Sequence, residues 1–213
     1  MNISILFFPI IFILTGCLNN KNGIADSDYI RYKSEFNIQL IQHFPTMPIS
    51  TNYSTFIETD TAKNNVCFIF TYKHLGDSIF QNLLNDLKTR RYLSEYQSMD
   101  TSLFFVNPFE TINTYSNYKM PYIDTTVIEK NIYQTRLPIP NVFNVKQDYY
   151  FATIGINANA FKIFVLDANS NYPFQDYRLK QDPQMPKDWR NGYSNGYAIN
   201  ENDKVIIYWL VIW

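Results

Sequence analysis

One short segment of the sequence has the residue types of a hydrolase active site. Residues 192–196, GYSNG, fit the pattern G-x-S-x-G, which in α/β-hydrolases presents a nucleophilic serine on a sharp turn between a strand and a helix. The residues before Ser194 do not form a strand-like apolar run, and those after it predict a strand instead of a helix. Both histidines, His43 and His74, precede Ser194, whereas that class of hydrolase places its histidine after the serine. We therefore predict that Ser194 is not a catalytic nucleophile.

Turn geometry explains the glycines of the same segment. Asn191-Gly192 and Asn195-Gly196 are both Asn-Gly pairs, which accept positive φ and favour tight turns. The sequence predicts two successive bends that lead into a C-terminal hairpin. A serine hydrolase with another order of catalytic residues stays an open alternative, but this motif gives it no support.

Metal-binding patterns are incomplete in this chain. Residues 167–171 begin like a calcium loop, but Tyr172 stands where that loop needs glycine and Arg178 where it needs a bidentate glutamate. Zinc needs three or four converging ligands, and the spacing of His43 and His74 does not predict them. We expect His43 to interact with carbonyls at a helix end and His74 to border a cleft. No metal ion and no other cofactor is predicted.

A segment rich in aromatic rings, residues 172–197, is the best candidate for ligand binding. It combines flat rings with amide side chains and prolines, a mixture that suits a wet recognition surface for a glycan or an envelope protein. The alternative is that these rings fasten a long loop to a sheet. The candidate ligand-binding residues are Tyr177, Trp189, Arg190, Tyr193 and Tyr197.

The first residues of the chain have the pattern of a targeting signal. The apolar run from Ile3 to Leu14 is too short for a lasting membrane span, which needs about 20 residues, and fits the hydrophobic part of a secretory signal. It ends in Leu14-Thr15-Gly16-Cys17, which closely resembles the lipobox of bacterial lipoproteins. No Lys or Arg precedes the run, so the terminal amine alone supplies the positive charge there. An ordinary secretory signal with a chance cysteine is the alternative.

The resemblance implies a processed and lipidated protein. In bacterial lipoproteins the signal is cut before the cysteine, whose thiol carries a diacylglyceryl group and whose amine is acylated, for example with palmitate. The resemblance thus implies a signal peptide over residues 1–16, lipidation of Cys17 and a polar tether over residues 17–27. Leu18 after the cysteine implies the outer membrane, with the periplasmic or outer face left open. Several acyl chains hold a protein on a membrane stably, whereas one chain holds it only marginally.

Composition and charge limit the remaining function classes. The chain has 213 residues, of which 46% are hydrophobic and 17% charged, with a formal net charge of −1. This suits one globular domain with a sizeable core, and it gives no field that would attract nucleic acid. After removal of the signal, Cys67 would be the only cysteine besides Cys17. Its apolar neighbours predict a small buried side chain.

Helices are predicted in two places. Apolar residues spaced near 3.6 predict a helix from Asp28 that ends before Phe44. Ser78 and Gln81 form a capping-box pattern that begins a second helix, which we expect to continue toward Tyr96. Its apolar stripe consists of Phe80, Leu83, Leu84 and Leu87.

Strands account for most of the remaining predictions. Residues 65–73 and 102–106 predict buried strands, residues 45–60 an extended connection, and residues 107–146 strands joined by long loops. Two hairpins are expected. The first joins YYFATIGI to FKIFVLDA across Asn157-Ala158-Asn159, and the second joins GYAI to KVIIYWLVIW across NEND. The last run is apolar on both faces, which predicts a central strand covered on both sides.

Together these patterns predict an α+β protein with a mainly antiparallel sheet and about two helices, in one domain over residues 28–213. We expect a lipid-anchored envelope protein without enzymatic activity that acts by binding or as an accessory component. A lipid-anchored glycan-binding module is the first alternative and a hydrolase with an unrecognised site the second. The expected partners are the membrane, through the anchor, and a glycan or an envelope protein.

Overall fold

The computed structural model describes residues 21–58, 65–106, 135–143, 156–171, 179–182 and 185–213. Its helices are α1 (Lys21–Ser34), α2 (Ile38–Ile41) and α3 (Asp77–Lys88). Its strands are β1 (Tyr53–Glu58), β2 (Val66–Tyr72), β3 (Ser94–Gln97), β4 (Lys162–Asn169), β5 (Tyr193–Asn200) and β6 (Val205–Ile212). Single 3₁₀ turns occur at Asn141–Phe143, Ala158–Ala160 and Lys187–Trp189.

Within these ranges the six strands form one antiparallel sheet in the order β1-β2-β6-β5-β4-β3. The predicted α+β class with a mainly antiparallel sheet is confirmed. The prediction for the final apolar run is also confirmed, because β6 lies between β2 and β5 and every residue of it is buried. A strand with large apolar side chains on both faces needs cover on both, and the sheet has it.

One face of the sheet is covered by the helices, and we call it the helix-covered face. Alternate residues of β6, such as Tyr208 and Leu210, pack on this face with apolar residues of α1, α2 and α3. The predicted apolar stripe of α3 supplies Phe80, Leu84 and Leu87, which are all at most 2% exposed. Helix stability here comes from burial of that stripe.

The opposite face is covered by irregular segments and short 3₁₀ turns, and we call it the loop-covered face. Trp209 and Ile207 of β6 lie on it, together with Ile163 and Val165 of β4. Phe104, Phe143 and Phe161 from the covering segments are at most 2% exposed. Cys67 is also buried on this face, which confirms its predicted role as a small buried side chain.

The N-terminal helices differ from the prediction. Helix α1 begins at Lys21, inside the stretch predicted as a polar tether, and ends at Ser34. A separate short helix, α2, then begins where the Asn37 side chain accepts a hydrogen bond from the backbone N–H of Gln39. The single helix predicted from Asp28 is therefore wrong in its bounds, because an Asn that bonds to its own backbone favours a new helix start over continuation.

Helix α3 is also shorter than predicted, and its cap is different. Gly76 occupies the N-cap position without a side-chain hydrogen bond, so the predicted capping box of Ser78 and Gln81 does not form the helix start. Asp77 in the first turn forms an ion pair with Lys204, which suits the positive end of the helix dipole. The helix ends at Lys88, and the predicted continuation is replaced by β3.

Three regions of the chain differ from their predicted structure. Residues 53–58, predicted as a connection, form the edge strand β1. Residues 102–106, predicted as a strand, form an irregular segment with one parallel bridge between Phe105 and Ile139. Asn195-Gly196, predicted as a bend, lies inside β5. Strands β2, β4 and β6 confirm their predictions, whereas residues 107–134 and 144–155 lie outside the described residues.

The register gives the sheet two distinct ends. At the first, which we call the α1 end, Tyr72 pairs with Tyr53 and with Ile206, and the Tyr53 hydroxyl donates to Asp26 in α1 (3.3 Å). At the second, the cleft end, Ile212 pairs with Tyr193. An eight-residue strand such as β6 separates the two ends by about 24 Å.

Candidate functional site

The cleft end of the sheet carries a polar depression formed where β4 ends and β5 begins. Gly192 and Trp213 close this end through two backbone hydrogen bonds of 2.9 and 3.0 Å. The depression has a volume of about 480 Å³. Its lining is made of amide, hydroxyl and charged side chains: Ser170, Asn171, Gln181, Lys187, Asp188, Arg190 and Asn191. We call it the polar cleft.

A short chain reversal positions the residues of the polar cleft. The backbone N–H of Asp182 donates to the Arg190 carbonyl (2.8 Å), and the N–H of Trp189 donates to the Pro186 carbonyl (2.8 Å). These bonds hold Asp182 next to Arg190 and form the 3₁₀ turn at Lys187–Trp189. The side chains at 187, 188 and 190 then border the cleft, while Trp189 packs against the loop-covered face.

Trp189 is held firmly in that packing. Its carbonyl accepts a hydrogen bond from Nε1 of Trp213 (2.5 Å). Its ring lies 6.0 Å from the ring of Trp213 and meets Phe104 edge-on at 6.1 Å. The contacts favour a structural role for most of the indole, and they fix the backbone from which Asp188 and Arg190 extend.

The charges of the polar cleft are mixed. Lys187 and Arg190 carry positive charge, and Asp188 carries negative charge. The Nε atom of Arg190 is buried and has no hydrogen-bond partner among the described residues. A buried donor without a partner costs free energy.

The other aromatic residues of the predicted ligand surface lie elsewhere. Tyr193 and Tyr197 are buried on the helix-covered face, at 7% and 2% exposure. The Tyr193 hydroxyl donates to Asp167 (2.7 Å), and the Tyr197 hydroxyl donates to the Leu87 carbonyl (3.0 Å). Burial is the main cause that raises the pKa of Tyr197 to about 12. The structure therefore does not bring these rings onto one exposed surface with Trp189.

The remaining predicted site residues have different outcomes. Arg190 does border a cleft, and ligand binding by it stays a prediction. Tyr177 and Cys17 lie outside the described residues. Sequence reasoning missed the contribution of Asn171, Lys187 and Asp188 to the cleft. The available signal is the Asn- and Ser-rich sequence at the end of β4, whose pattern by itself indicates only an incomplete calcium loop.

Ser194 is a structural residue. It is completely buried, and its hydroxyl donates to the Pro138 carbonyl at 2.6 Å. This bond fastens the segment around Pro138 to the loop-covered face of β5. A serine whose hydroxyl is committed to a buried carbonyl has no access to a substrate, which supports the prediction that Ser194 is not a nucleophile.

The two histidines lie in different environments. His43 is buried, and its Nε2 lies 3.1 Å from the Trp209 carbonyl of β6. It therefore contacts a strand carbonyl and not the helix-end carbonyls that we expected. His74 is exposed and has a positive φ of 44°. Among the described residues, no hydrogen bond joins either histidine to a serine or carboxylate, so neither supports catalysis there.

The incomplete calcium pattern forms local hydrogen bonds. Asp167 accepts from Tyr193, and the Asn169 side chain accepts from the backbone N–H of Asn171 (2.9 Å). Both residues are therefore engaged in holding the end of β4. Within the part of the chain that the structure describes, no cluster of three His, Cys, Asp or Glu side chains could hold a metal ion.

Comparison of the chain with known protein families, with curated proteins and with solved structures finds no match. Among the described residues, no helix has the length and apolar character needed to cross a membrane.

Proposed function

We propose that this chain is a lipid-anchored protein of the bacterial cell envelope, held at the outer membrane through Cys17. The observation that carries the proposal is the sequence Leu14-Thr15-Gly16-Cys17 at the end of an apolar run. In its mature form the protein acts by binding or as an accessory component. This role is consistent with the commitment of Ser194 and His43 to structural hydrogen bonds.

Labelling with a fatty-acid analogue tests the anchor. Cells that express the full chain are grown with an alkynyl palmitate, and the protein is compared as wild type, Cys17→Ser and Cys67→Ala. We expect label on the wild type and on Cys67→Ala, because Cys67 is buried in the core, and no label on Cys17→Ser. Label that persists in Cys17→Ser would refute the proposal.

Glycan binding is the second candidate, and the polar cleft is the observation that favours it. Sugar hydroxyls need amide and charged partners in a wet depression, and the cleft presents Asn171, Asn191 and Arg190 together. The cleft lies at one end of the sheet, and the start of α1 lies at the other. Cys17 precedes the start of α1 in the chain. A ligand would approach it from the side away from the anchor.

Affinity electrophoresis against envelope polysaccharides tests this second candidate. Trp189→Ala is a poor probe because it removes packing against Trp213. Asn171→Ala changes an exposed cleft residue, and Asn202→Ala changes an exposed turn residue at the α1 end as the matched control. We expect retardation of the wild type and of Asn202→Ala but not of Asn171→Ala. Equal retardation of both variants would exclude the cleft as the binding site.

A further inference from the structure

The proposed anchor lies very close to the first helix. Three residues lie between Cys17 and Lys21, where α1 begins, so four residue-to-residue steps join them. Even a fully extended chain of that length spans only about 14 Å. If Cys17 is lipidated, the start of α1 is therefore held within about that distance of the membrane surface.

The segment after α2 runs alongside α1 toward that anchored end. The Pro45 carbonyl accepts hydrogen bonds from the Tyr29 hydroxyl (2.5 Å) and the Lys33 amine (2.7 Å), in the second half of α1. Eight residues later, Tyr53 donates to Asp26, nearer the helix start. Residues 45–52 thus lie antiparallel to α1 along one side of it.

Apolar side chains are exposed on this side of the molecule, in and beside a segment that contains no charged residue. Met47 is 44% exposed and Ile49 52% exposed, and residues 45–52 contain no Asp, Glu, Lys or Arg. Ile30 of α1 is 42% exposed. It follows Asp26 by four residues and precedes Lys33 by three, so it shares their face of the helix.

We propose that Ile30, Met47 and Ile49, which we call the apolar flank, lie in the interfacial layer of the membrane in which Cys17 is anchored. The inference rests on the proposed lipid anchor. Apolar side chains gain free energy when they leave water for the boundary between headgroups and acyl chains. Residues 45–52 themselves contain no ion that would lose its hydration, whereas the neighbouring Asp26 and Lys33 carry charge. The flank orients the domain on the bilayer, so that the lipid on Cys17 and the apolar flank both bind the membrane.

Fluorescence quenching by spin-labelled lipids tests the contact. The lipidated full chain, with Cys67→Ala, receives a single new cysteine by Met47→Cys or by Met99→Cys, each labelled with the fluorophore NBD. Met99 is the matched control, because it is 58% exposed and follows β3 at the sheet edge opposite β1. Each protein is reconstituted into phosphatidylcholine vesicles with and without doxyl groups on the lipid.

We expect the probe at position 47 to lose emission in doxyl-containing vesicles and the probe at position 99 to keep it. Equal emission with and without doxyl at position 47 would overturn the proposal, as would equal losses at the two positions. A probe at 47 that is shielded from aqueous iodide but not quenched by doxyl lipid would indicate contact with a second copy of the chain, and would also overturn the proposal. Circular dichroism spectra confirm that both labelled chains are folded.

The same samples separate the failure of this inference from the failure of the anchor. A chain that carries no fatty acid and does not enter the membrane fraction refutes the anchor itself. A chain that carries fatty acid and remains bound, but shows no quenching at position 47, leaves the anchor intact and refutes only the membrane contact of the apolar flank. Ile49→Cys provides an independent second probe position.

Discussion

The indole ring of Trp209 on β6 occupies the space next to Gly196 on β5 that any other residue would fill with its side chain. The two residues are direct partners in the sheet register, and a Cβ on Gly196 would stand 2.7 Å from the indole carbon Cζ2. It would also collide with the backbone carbonyl of Phe164 on β4. Gly196 is therefore required for close approach and not for a turn.

We predict that Gly196→Ala strongly destabilises the fold. Backbone on one side and a buried indole on the other leave no direction in which a methyl group can be accommodated, so we expect a loss of about 3 kcal/mol in the free energy of unfolding. Gly76→Ala is the control, because a Cβ there meets nothing within 4 Å. Urea unfolding measures both, and equal stability of the two variants would contradict the packing described for Trp209.

Ser194→Ala is expected to destabilise the protein by about 1–3 kcal/mol, because it leaves the buried Pro138 carbonyl without its donor. Ser50→Ala, which removes a hydroxyl from a local and exposed hydrogen bond, should change stability much less. Thermal unfolding of both variants measures the difference. A Ser194→Ala variant as stable as the wild type would show that the hydroxyl does not hold the segment at Pro138.

Stability should fall in acid because of His43. Burial is the main cause that lowers the pKa of His43 to about 3, against about 6.5 in the unfolded chain. Between about pH 3 and pH 6.5 the unfolded chain therefore binds a proton at His43 that the folded protein does not bind. The contribution of neutral His43 to the free energy of unfolding is complete above about pH 6.5 and is lost as the pH falls toward 3. The free energy of unfolding then decreases by up to about 1.4 kcal/mol per pH unit.

His43→Gln tests this dependence, because glutamine keeps an N–H donor for the Trp209 carbonyl but does not titrate. Urea unfolding between pH 4 and pH 7 should show a shallower loss of stability for His43→Gln than for the wild type. Parallel curves for the two proteins would contradict the assignment of a neutral, buried imidazole.

The parts of the fold that follow from apolar pattern could be predicted from the sequence. The run of β6 is apolar at every position, and the stripe of α3 recurs at helical spacing, so burial alone determines both. The second half of β5 was predicted as the GYAI strand of the C-terminal hairpin, but its first half was missed because Asn195-Gly196 has the residue types of a turn. The reason for that glycine lies in Trp209, which is distant in sequence and adjacent only in the folded sheet.

The candidate site was predicted less well for the same physical reason. Tyr193 and Tyr197 were expected on a surface, but once β5 extends from Tyr193 their even spacing with Asn195 and Ile199 places all four on the helix-covered face. The polar cleft depends on a loop that folds back through the bond between Asp182 and Arg190. No local pattern specifies such a contact.

The mass of the mature protein extracted from membranes is the most direct test of the lipid anchor. We predict that the chain begins at Cys17, and that its N-terminal peptide carries the added mass of a diacylglyceryl group and an amide-linked acyl chain, which Cys17→Ser lacks. An N-terminal peptide without lipid, or one that begins elsewhere than at Cys17, would contradict the account.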